Sequence, residues 1–90
     1  PGYTISTSTN RVDLGSILAQ GRYVVVVPGE DTEKLSRIER ELGRRAYQTG
    51  SNRGSFMTPG GYGSYREARS DVLRLRAAGL DARVEYFSTR

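Results

Sequence analysis

The sequence predicts an α+β domain whose elements follow the order β-α-β-β-α-β. An unbroken β-branched run covers Tyr23–Val27, and two charged segments with helical apolar spacing end at Gly43 and Gly79. Short strand-like segments bounded by glycine or proline follow each helix. Ninety residues form one small domain, whose core can cover a face of a sheet but cannot enclose a deep pocket. Binding is therefore expected on a surface.

Residues 1–20 read as a linker or N-terminal arm. Thr4–Asn10 offers little to bury, whereas Val12, Leu14, Ile17 and Leu18 can dock residues 12–18 on the domain as a short helical turn ending at Gly21. The folded unit is then expected over residues 21–88. Its first strand, Tyr23–Val27, suits a central position covered at least partly on both faces, and Pro28-Gly29 stops it. Leu35, Ile38 and Leu42 place a helix over Thr32–Leu42, with Asp31 or Thr32 as N-cap and Gly43 as its stop.

Ala46–Thr49 is a weak edge strand, Gly50–Gly54 a turn, and Ser55–Pro59 a third strand. Ser64 and Glu67 have the spacing of a capping box, in which the serine hydroxyl accepts from the N3 amide. Ala68, Val72 and Leu75 form the inner stripe of the second helix, with Leu73 at its edge and Arg66, Arg69, Arg74 and Arg76 on other faces. After Gly79, Ala82–Tyr86 alternates as a half-buried strand does. The whole is a ferredoxin-like plan: a four-stranded antiparallel sheet, two helices on one face, and the other face open. The two halves overlay as a pseudo-twofold repeat, Val26–Gly29 on Met57–Gly60 and Gly43–Tyr47 on Gly79–Arg83.

Composition removes several kinds of chemistry. The chain has no cysteine and no histidine, so it lacks disulfides, thiolate nucleophiles, the usual general base and the commonest metal ligands. Glu30, Asp31 and Asp71 have helix-capping or helix-surface duties, and Ser64 has no histidine to activate it. The expectation is a protein that is not an enzyme and needs no metal or cofactor. The longest apolar run, Tyr23–Val27, is far shorter than the roughly 20 residues of a membrane helix. A formal net charge of +4 favours anionic partners without requiring nucleic acid.

Strand parity nominates a binding surface. With Ala82, Val84 and Tyr86 toward the helices, Arg83, Glu85 and Phe87 face the open side. Keeping Val24, Val26, Met57 and Pro59 inward adds Tyr23, Val25, Val27, Phe56 and Thr58, and Tyr47 or Gln48 extends the platform according to the register of the weak strand. Rings beside arginine and threonine suit a sugar, whose C–H faces stack while its hydroxyls hydrogen-bond. Burial favours Tyr23 and Phe56 as sheet-packing residues over ligand contacts, and Tyr62 as a structural wedge against the second helix. Gly60–Gly63 lacks the Lys-Ser/Thr ending of a phosphate loop.

The ordered set Gly60, Tyr62, Ser64, Glu67, Ala68, Leu75, Gly79, Leu80, Ala82 and Val84 resembles the second repeat of the SPOR domain, the sporulation-related repeat of bacterial cell-envelope proteins. A weaker likeness over Tyr23–Gln48 extends it to about residues 21–87. The resemblance implies a non-catalytic module that binds peptidoglycan glycan strands stripped of stem peptides, at a division septum. It also implies a place in the periplasm or cell envelope, behind an anchor that lies outside this chain. The first repeat departs from the family: Val26-Val27-Pro28-Gly29-Glu30-Asp31 stands where a Val-Gln-Val-Gly-Ala-Phe type segment is usual.

That departure favours, as an alternative, a degenerate SPOR-like protein–protein interaction domain. Single-stranded RNA binding on the sheet is the second alternative, since RNA-recognition modules share the plan. Arg53-Gly54-Ser55-Phe56 begins like their RNP1 segment, but Ser55 occupies an aromatic position and Pro59 ends the strand early. Nucleic acid is therefore the weaker expectation.

Overall fold

A computed structural model describes residues 11–88 as a mixed α+β domain. Among them are helices α1 (Leu14–Leu18), α2 (Thr32–Leu42) and α3 (Tyr65–Ala77) and strands β1 (Tyr23–Pro28), β2 (Tyr47–Ser51), β3 (Gly54–Thr58), β4 (Gly61–Tyr62) and β5 (Arg83–Tyr86). The linker expected at Thr4–Asn10 lies outside the described residues. No helix among them is long and apolar enough to cross a membrane.

The two long helices form where their caps and spacing place them. Asp31 accepts from the Glu33 and Lys34 amides at 2.9 and 3.2 Å, and α2 runs to Leu42 before Gly43. Ser64 Oγ accepts from the Glu67 amide at 3.2 Å to open α3. At its other end Gly79 takes φ +88°, a left-handed value that glycine adopts without a Cβ penalty. Gly79 and Leu80 amides then donate back to Arg76 and Leu75 carbonyls at 2.9 and 3.0 Å, the paired bonds of a Schellman stop. Leu80 is buried as the apolar residue that accompanies such a stop.

The sheet is antiparallel, with β1 at its centre. β3 and β4 pair along one edge of β1, β5 along the other, and β2 lies outside β3. β4 was not expected. Val27 faces Met57 and Val24 faces Gly61, so three steps along β1 are matched by four along β3 and β4. This extra residue is a bulge at Pro59–Gly60, and it resets the alternation of side chains. Met57 and Tyr62 consequently share a face despite their odd spacing. Gly21 and Gly61 approach closely beside it: a Cβ on Gly61 would lie 2.2 Å from the Gly21 carbonyl oxygen.

Two cores sandwich β1. On one face Val25 and Val27 pack with Leu35 and Ile38 of α2, Val72 and Leu75 of α3, and Met57. On the other, Val24, Val26 and Phe56 meet Ile17 of α1, with Val12, Leu14, Leu18, Tyr47 and Phe87 around them. Val12, Leu14, Ile17 and Leu18 pack on this side and cover part of the face that was expected to be open.

Side-chain parity on β1 is the reverse of the expectation. Tyr23, Val25 and Val27 lie with α2 and α3, whereas Val24 and Val26 lie toward α1. Every position of Val24–Val27 is apolar, so alternation carries no signal there; the ladder decides. Opposite residues of an antiparallel pair share a face, and Val27 sits opposite Met57. Gln48, also opposite Met57, joins that side, while Tyr47, opposite Thr58, takes the α1 side.

Candidate functional site

The surviving part of the helix-free face lies where the β2–β3 hairpin tip meets β5. Phe56 and Phe87 stack there, with ring centroids 6.4 Å apart and planes 28° from parallel. Phe56 is buried beneath, and Phe87 is half-buried above it. Register explains the neighbours: Arg83 and Glu85 alternate with inward Ala82 and Val84, so they emerge on the same face as Phe87. A shallow cavity of about 70 Å³ lies among these side chains and Ser51, Arg53 and Ser55.

Glu85 organises the charge. One carboxylate oxygen accepts from Arg53 Nη1 at 3.2 Å and the other from Arg83 Nε at 2.8 Å. Its side chain is only 18% exposed, against 80% for Arg53 and 51% for Arg83. A carboxylate half-withdrawn from water thus fixes two guanidinium groups whose remaining N–H donors face solvent. Ser51 Oγ accepts from the Arg53 amide at 3.2 Å and shapes the hairpin tip. The result is one ring edge, several fixed donors and nearby hydroxyls, an arrangement suited to holding a polar ligand in place. Among the described residues no group of three acidic, histidine or cysteine side chains is placed to hold a metal.

Of the ten residues nominated from sequence, Phe56, Arg83, Glu85 and Phe87 come together here. Tyr47 and Thr58 are on the same sheet face but beside the α1 cluster; Thr58 is fully buried, and its hydroxyl is engaged with the Gly60 amide at 2.9 Å. Tyr23, Val25, Val27 and Gln48 belong to the opposite face and leave the site. Gln48 is buried, and its Nε2 donates to the Gly29 and Phe56 carbonyls at 3.1 and 3.0 Å. Arg53, Ser51 and Ser55 are the additions. The length of the hairpin was the available signal, because its tip overhangs the strand two places away.

A second aromatic group stands on the helical side near β5. Tyr23 contacts Tyr86 at 4.9 Å and Tyr65 at 6.4 Å between ring centroids. Tyr62 instead packs against the helical core, as a wedge would, and joins Arg44 and Asp71 in a hydrogen-bonded trio. Compared with family models, curated proteins and solved structures, the chain finds no match in any of the three.

Proposed function

We propose that this chain is a non-catalytic, SPOR-like module that binds denuded peptidoglycan glycan strands in the bacterial cell envelope. The supporting observation is the Phe56–Phe87 stack beside the Arg53–Glu85–Arg83 cluster. A ring accepts the C–H face of a sugar, and arginine donors held by one carboxylate meet its hydroxyl and carbonyl oxygens without further ordering of the side chains. The strand order β2–β3–β1–β5, linked through α2 and α3, supports the ferredoxin-like reading, with α1 and β4 as additions to it. Glycan contact is confined to the hairpin and β5 end, because α1 occupies the remainder of the face.

Co-sedimentation tests this reading with three probes: intact sacculi, amidase-treated sacculi and single-stranded RNA, each at low and high salt. Binding should rise when stem peptides are removed and persist in high salt, and Phe87→Ala should abolish it while the circular dichroism spectrum is retained. RNA binding that falls steeply with salt would replace glycan by nucleic acid. Failure to bind any of the three would leave protein interaction as the role of the domain.

A further inference from the structure

Among the described residues the outer edge of β5 is unpartnered, and its hydrogen-bonding pattern is fixed by the ladder to β1. The Phe87 amide donates to the Arg22 carbonyl at 2.9 Å, and Tyr23–Val26 pair in register with Tyr86–Arg83. Stepping by two makes Val24/Glu85 and Val26/Arg83 the hydrogen-bonded pairs. The N–H and C=O groups of Val84 and Tyr86 therefore point outward. An independent bond agrees: Val25, opposite Val84, turns its amide away from β5 and donates to the Gly60 carbonyl at 3.4 Å. Among the described residues, the outward groups of Val84 and Tyr86 have no backbone partner. The Ala82 carbonyl next to them accepts from Arg76 Nε at 2.9 Å.

We propose that this edge pairs antiparallel with the same edge of a second copy of the chain, about a two-fold axis at Val84. Outward residues must face outward residues, which restricts the axis to a few positions. An axis at Glu85 sets two carboxylates directly opposite one another, and an axis at Arg83 does the same to two guanidiniums. An axis at Val84 instead places Arg83 opposite Glu85 of the second copy, and Glu85 opposite its Arg83. Opposite charges across a ladder stabilise it and like charges destabilise it, so among axes at Arg83, Val84 and Glu85 the charge pattern selects Val84. On the other face the same axis puts Tyr86 opposite the small Ala82 of the second copy. Tyr86 is 59% exposed in the single chain.

This inference goes beyond glycan binding and does not depend on it. It does join the two helix-free faces into one surface, with a Phe87 and an Arg53–Glu85–Arg83 cluster on each side of the axis. That is the geometry of a bivalent binder.

Sedimentation equilibrium of the full chain, with amide hydrogen exchange, provides the test. The wild type should reach twice the chain mass of 10.0 kDa as concentration rises toward about 1 mM, with concentration-dependent protection of the Val84 and Tyr86 amides. R83E and E85R should each raise the dimer dissociation constant about tenfold or more while keeping the wild-type circular dichroism. An equimolar mixture of the two variants should recover the dimer, since one strand then carries two negative charges and the other two positive. A wild type that stays at the single-chain mass throughout overturns the proposal. So does a dimer that survives both reversals or leaves Val84 and Tyr86 unprotected.

Discussion

The two faces of β1 are built at different depths. Toward α2 and α3, Val25 and Val27 lie beneath two long, side-chain-capped helices whose inner residues interlock with Met57 and Leu80. Toward α1, Val24 and Val26 are covered by a five-residue helix with no side-chain cap and one fully buried residue, Ile17. Both sets of valines are equally removed from water, yet the first cover is an interlocked layer and the second a single docked turn. Burial of a strand therefore does not reveal how much structure must move to uncover it.

Substitutions on the two sides should separate these covers. Leu75→Ala, on the thick side, should cost about 2–5 kcal/mol, because a fully buried leucine is removed where two helices and the sheet leave little room to relax; urea denaturation reads this directly. Gly61→Ala should cost about 1–3 kcal/mol by forcing β4 away from Gly21 and the Ile17 carbonyl, and it should disturb the thin side selectively. Ile17→Ala belongs toward the lower end of the core-truncation range, about 2 kcal/mol, since α1 can resettle. Its distinguishing sign is faster hydrogen exchange in α1 with α2 and α3 unchanged, and equal acceleration everywhere would erase the contrast.

Smaller effects sharpen the comparison. Ser64→Ala should cost about 1 kcal/mol through loss of the α3 cap, seen as a lower urea midpoint with an unaltered slope. Arg53→Ala should change stability by less than about 0.5 kcal/mol, because Arg53 itself is 80% exposed and Glu85 keeps its pair with Arg83. Under the proposed function its effect falls on glycan binding, and a large loss of stability would mean that the hairpin tip is part of the core.

What the sequence made legible follows the same division. The thick side announced itself through Asp31, Ser64 and Gly79 and through apolar spacing, all local signals. The thin side depended on long-range register. Nothing in Val24–Val27 distinguishes one face from the other, and the Pro59–Gly60 bulge shifts parity between Met57 and Tyr62 without leaving an alternation to read. Of the candidate site, Arg83 and Glu85 of β5 and the adjoining Phe87 were accessible because this stretch alternates cleanly. Arg53 was not, because it reaches Glu85 only through the fold, across 32 positions of sequence.

The central place of β1 also has a consequence for the chain as it is synthesised. Among the described residues β1 precedes every strand that pairs with it, and β5, which closes one of its edges along Tyr23–Val26, is the last of these partners to be made. Until Arg83–Tyr86 has emerged, a β-branched, uncharged run keeps one row of backbone groups unpaired. Premature termination anywhere between the end of α3 and Arg83 would therefore release a polypeptide whose most aggregation-prone segment is the one that the finished domain hides most completely.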